Sequence, residues 1–191
     1  MQTVYQESEL EFRFPQHWAI RKYDQQKFYL QVSGLGLKGV DFLIIDPIGE
    51  GHLYLMEVKN YKTRQHEHGT FIPQLKAAPE LAATLAAKYE HTLRAIRAIA
   101  LFYQQKWWYR LLKKNYTKSR NYQRDAVFWT AVSSLAKNTE QHTLLLWLEA
   151  NEVSSDYLKA FNTTLQYELA IGVKTQVAST QSPFPPGIVV K

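Results

Sequence analysis

Two carboxylates and a lysine stand where a strand hairpin would bring them together. Asp41 and Glu57 each lie eight residues from Gly49. In a hairpin symmetric about that glycine they face each other, with Cβ atoms roughly 4.5–5.5 Å apart. Carboxylates that close repel unless one is protonated or a cation lies between them. Lys59 follows Glu57 by one strand repeat and shares its face. Carboxylate oxygens are hard ligands suited to Mg²⁺ or Mn²⁺, ions that keep waters and accept phosphate oxygens as further ligands. Such an ion lowers the pKa of a bound water and balances charge developing on a phosphate. Lys59 would orient that water or stabilise the pentavalent transition state.

The elements that must position these groups are legible. Val40–Asp46 and His52–Lys59 are β-rich runs joined by the turn-forming Pro47-Ile48-Gly49-Glu50-Gly51, which predicts the hairpin. Asp41, Leu43 and Ile45 share one face, as do Leu53, Leu55, Glu57 and Lys59. Both faces are apolar, as in buried strands, where a charge is costly unless paired or metal-bound. A structural account stays open beside the chemical one: a buried Glu57–Lys59 ion pair with Asp41 capping a turn.

Around the hairpin, residues 17–23 predict a strand, and Asp24 an N-cap for a short helix through Phe28, Tyr29 and Val32. From Pro79 onward, Leu81, Leu85, Tyr89, Leu93, Ile96, Ile99 and Tyr103 recur at helical spacing and predict a long amphipathic helix. Residues 126–132 (AVFWTAV) and 143–148 read as strands, 155–169 as a helix and 172–177 as a last strand. Strands interleaved with helices imply an α/β fold, a central mixed sheet flanked by helices. Residues 1–180 read as a single domain and 181–191 as a Pro-rich tail.

Val40-Asp41, then Glu57-Val58-Lys59 about sixteen positions on, resembles the PD-(D/E)xK signature of the restriction-endonuclease-like nucleases. The resemblance spans roughly residues 9–132. It implies an αβββαβ core, metal held by Asp41 and Glu57, and Lys59 assisting phosphodiester hydrolysis in DNA or, less so, RNA. Valine replaces the proline of the signature at position 40, but proline supplies no ligand. Many such nucleases add a metal-binding glutamate from the first core helix. Of Glu7, Glu9 and Glu11 we take Glu11, although Phe12–Pro15 looks extended.

The net charge of +6 favours polyanions. Absence of cysteine excludes disulfides, thiol nucleophiles and cysteine zinc sites. With no apolar run long enough to span a bilayer and no signal-like start, a soluble, cytoplasmic protein is expected. Lys62 and Arg64, in the loop after the ExK strand, are candidates to hold phosphates, and the alternative is an ordinary exposed loop. His66 and His68 alone do not make a zinc site. Between Lys106 and Arg124 basic residues, among them Lys106, Arg110, Lys113 and Lys114, alternate with Trp107, Trp108, Tyr109, Tyr116 and Tyr122, without an acid. That mixture suits phosphate contact plus base stacking, or equally aromatics on a core with basic heads in solvent. Trp129 and Trp147 read as core. Two rivals remain: a domain of the same fold that binds nucleic acid or a partner protein without cutting, and a homodimer built on the Trp107–Trp108 patch.

Overall fold

The structure, a computed structural model, describes residues 3–26, 38–66, 69–118 and 121–191. The chain opens with three strands: β1 (Thr3–Glu7), β2 (Leu10–Phe14) and β3 (Ala19–Lys22). A single 3₁₀ turn, Tyr23–Gln25, follows β3. The helix expected through Phe28, Tyr29 and Val32 lies outside the described residues. Then come β4 (Phe42–Asp46), β5 (His52–Tyr61) and a small ribbon of β6 (Arg64–His66) and β7 (Gly69–Phe71). Three helices follow: α1 (Ala78–Gln105), α2 (Trp107–Lys118) and α3 (Asp125–Leu135). The chain closes with β8 (His142–Ala150), α4 (Ser155–Glu168), β9 (Lys174–Ala178) and β10 (Val189–Val190).

A mixed sheet of five strands in the order β3-β4-β5-β8-β9 forms the centre. β3, β4 and β5 make an antiparallel meander, while β8 and β9 run parallel to β5. The parallel joins require crossovers, which the three helices after β5 and then α4 provide. One face, through Leu43, Ile45, Leu53, Leu55, Leu144 and Leu146, packs on α1, α3 and α4 through Leu85, Phe128 and Phe161. The other, through Phe42, Ile44, Met56, Val58 and Trp147, packs on a three-stranded sheet ordered β1-β2-β10, through Phe12 and Phe14. The central strands are therefore buried on both sides, as their two apolar faces predict. Among the described residues, helices cover one side and the second sheet covers the other. Among the described residues no helix is long and apolar enough to cross a membrane.

Two expectations change. AVFWTAV is not a strand but the middle of α3, where Phe128, Val132 and Leu135 recur at helical spacing against the core. A short apolar run cannot by itself distinguish a buried strand from a buried helix, and its aromatic and β-branched content pointed the wrong way. The N-terminal glutamates sit on or beside the β1–β2 hairpin rather than on a helix. The Pro-rich tail is docked: Ile188 is buried in the second core, and β10 pairs with β2.

Candidate active site

The β4–β5 register places Phe42 opposite Met56 and Asp46 opposite His52. This is the symmetry about Gly49 that would set Asp41 against Glu57, and Gly49 and Gly51 supply the positive φ angles of the turn. Asp41 itself stands just outside the ladder. Its N–H donates to Met56 O (3.0 Å), and its Oδ2 accepts the amide of Val58 (2.7 Å). The strand end is clamped from behind: Val40 N–H donates to Thr92 Oγ1 (3.0 Å), which donates to Lys88 O (2.8 Å). Gly39 is needed for this close approach, because a Cβ there would lie 2.2 Å from the Tyr23 ring and 3.2 Å from Thr92 Oγ1.

That clamp brings in a residue that the reading of the sequence did not single out. Lys88, on the flank of α1, reaches Glu57 Oε1 at 2.6 Å and Asp41 Oδ1 at 3.9 Å. Lys59 Nζ lies 2.5 Å from the same Glu57 oxygen. Glu57 is 1% exposed, and its other oxygen, Oε2, is buried without a hydrogen-bond partner among the described residues. The site is thus two carboxylates and two ammonium groups at the edge of the helix-side core. The Glu57–Lys59 pair of the structural account is present, but it leaves half of the carboxylate unused.

Burial, and then the neighbouring charge of Glu57, pushes the Asp41 carboxyl up to about 7; Lys88 and the Val58 amide act in the opposite direction. Burial works against the ammonium of Lys59, yet the Glu57 carboxylate outweighs it and holds the lysine above its ordinary range. Asp41 and Glu57 Oε2 are hard oxygen donors with capacity to spare, which fits a divalent cation such as Mg²⁺. Among the described residues no group of three or more His, Cys, Asp or Glu side chains is gathered for a metal.

The remaining predicted residues are dispersed. Glu11, expected as a further ligand, accepts from Arg13 Nε and Nη2 (2.7 Å each) on β2. Glu7 is the N-terminal glutamate whose charge is felt at Asp41, and it pairs with Lys22 at 2.8 Å. Lys62 binds buried Glu149 (2.6 Å), and Arg64 binds Glu9 (2.6 Å) and Asn60 O (2.8 Å). Lys106 and Arg110 are exposed at the far end of α1 and on α2. About 27 Å of helix rise separates Lys106 from Lys88. Lys106 lies over the Phe102 ring, and Lys114 is exposed on α2. The side chains of Lys113, Trp108 and Tyr116, like residue His68, lie outside what is described. The aromatics there divide: Tyr109 is buried and bonded to Thr130 Oγ1 (2.7 Å), whereas Trp107 is 68% exposed.

No family model, no curated protein and no solved structure matches the chain.

Proposed function

We propose that the protein is a metal-dependent nuclease that hydrolyses phosphodiester bonds in DNA, with Asp41 and Glu57 as holders of Mg²⁺ or Mn²⁺ and Lys59 as the assisting cation. The observation that carries this reading is Glu57 Oε2, a buried carboxylate oxygen without a partner among the described residues, beside a second, reluctantly ionised carboxylate. In a pair serving the fold alone, an unsatisfied buried acceptor would be an uncompensated cost of about 1–3 kcal/mol. When bound, the metal would supply an acidified water and charge to balance the phosphate. Lys59 is partly exposed where Glu57 is not, so its ammonium is the group able to meet a phosphate oxygen or the attacking water. The net charge of +6 would draw the polyanion in.

The strand order supports the comparison with the restriction-endonuclease-like αβββαβ core. The β3-β4-β5 meander leads through helices to parallel β8, and the two carboxylates come from the residue just before the second meander strand and from the third strand. The first helix of that core has no counterpart among the described residues, where the β1–β2 hairpin precedes β3. The test is incubation of linear and nicked DNA with the protein in Mg²⁺, Mn²⁺ or chelator. Cleavage in metal that disappears in chelator and in Glu57→Gln is expected; equal cleavage by Glu57→Gln would reject the site.

One observation favours a rival, a domain that binds nucleic acid or a partner protein without cutting. Two lysines already meet Glu57 Oε1, as they would if they replaced a metal outright. Metal-independent mobility shifts with no turnover in Mn²⁺ would establish that reading.

A further inference from the structure

We propose that Lys88 acts as a built-in cation bridging Asp41 and Glu57, so that the site accepts one divalent ion and not two. The inference rests on the nuclease reading and adds a positioning residue to it. Lys88 is held from several sides. Its side chain is 17% exposed, and its Nζ lies 2.6 Å from Glu57 Oε1 and 3.9 Å from Asp41 Oδ1. Its carbonyl accepts from Thr92 Oγ1, and Thr92 in turn accepts from the amide next to Asp41. The turn of α1 that carries the lysine and the strand end that carries the aspartate are therefore fixed to each other.

Charge arithmetic sets the consequence. Two ionised carboxylates against Lys59 and Lys88 sum to zero. One divalent ion makes the site +2, which a phosphodiester then lowers. A second ion would make it +4 within a few ångströms, in a buried setting where like charges at about 4 Å cost several kcal/mol. Two-ion sites hold their metals about 3.5–4 Å apart with carboxylates bridging or flanking both. Here the contact to both carboxylates is made by an ammonium. Glu57 Oε2 and Asp41 remain to receive one ion.

Calorimetric titration of Mn²⁺ into the full chain tests this, with wild type, Lys88→Met, Lys88→Arg and Asp41→Asn/Glu57→Gln compared and folding checked by circular dichroism. Wild type and Lys88→Arg should take up one ion. Lys88→Met, which keeps the alkyl stem but loses the charge, should take up a second ion or bind the first at least about tenfold tighter. The double variant should bind none. Two ions in wild type would overturn the role of Lys88 while leaving the nuclease reading intact, and that measurement depends on no variant. Unchanged stoichiometry and affinity in folded Lys88→Met would do the same. No Mn²⁺ uptake by wild type would overturn both.

Discussion

Two buried glutamates on neighbouring parallel strands have opposite surroundings. Glu57 on β5 and Glu149 on β8 are 1% and 2% exposed, and Glu149 pairs in register with Asn60, three residues beyond Glu57. Every oxygen of Glu149 is used. Oε1 accepts from Trp147 Nε1 (3.0 Å), from the Thr180 amide (2.5 Å) and from the Thr180 hydroxyl, while Oε2 meets Lys62 at 2.6 Å. Burial alone would raise its pKa, but Lys62 and Thr180 together hold it below the ordinary range. Among the described residues Glu57 has two lysines on one oxygen and no hydrogen-bond partner on the other, and its neighbour Asp41 is driven the opposite way. Burial therefore does not distinguish the two glutamates; under the proposed reading, unused acceptor capacity beside a second carboxylate does. Even a cavity misleads, since one of about 350 Å³ lies beside Glu149, Lys62 and Asn151.

The largest expected effect separates the two residues by activity. Asp41→Asn and Glu57→Gln should each lower Mn²⁺-dependent cleavage by at least about 100-fold, the scale of losing one preorganised electrostatic partner. Glu149→Gln, assayed at a temperature where it remains folded, should cleave as wild type does. A similar loss in all three would remove the contrast and make both glutamates parts of the fold.

Stability should show the reverse. Glu149→Gln leaves Lys62 and the Thr180 donors against a weaker acceptor and should cost about 1–3 kcal/mol. Asp41→Asn in chelator should stabilise the protein at pH 8. Folded Asp41 holds its proton up to about 7, whereas the unfolded chain releases it near the ordinary value of 3.8. Between those values folding takes up a proton, so stability falls as pH rises through the window, and the whole penalty is present above it. It amounts to at most about 4 kcal/mol. Asparagine carries no such penalty and can still accept from Val58, so its advantage over wild type should vanish toward pH 4. The check is urea unfolding of both chains at pH 4, 6 and 8; a constant difference would show that Asp41 ionises freely in the fold.

The hairpin was legible because alternation and the glycine turn fix its register independently of the rest of the molecule. Asp41, Glu57 and Lys59 could be read together for that reason. Lys88 could not be found that way, since its partners lie on other elements. The available signal was faint: a lone cation in LAATLAAKY, placed by helical spacing beside Leu85 and Tyr89 of the buried face. Glu149 was missed because, Trp147 apart, its donors come from other segments, Lys62 from beyond the end of β5 and Thr180 from beyond the end of β9. The β1–β2 hairpin was hidden by its turn, where Ser8 and Glu9, not glycine or asparagine, adopt φ of 51° and 62°. AVFWTAV shows that residue type alone does not settle a short buried segment, because the length of the apolar run and its neighbours decide which element it joins.

The smallest effect concerns Lys62, a candidate from the sequence for phosphate contact, which the structure pairs with Glu149. Its side chain is 44% exposed, so water can replace much of what it gives Glu149. Lys62→Ala should cost less than about 1 kcal/mol in thermal or urea unfolding. A lysine engaged with phosphate would also contribute about one to the slope of log affinity for DNA against log salt concentration. Engagement with Glu149 predicts no change in that slope, because turning to DNA would leave a buried carboxylate with one donor fewer. A slope reduced by about one would return Lys62 to the nucleic-acid face. Glu149 would then have a partner it can lend to substrate, and would no longer be the closed counterpart of Glu57.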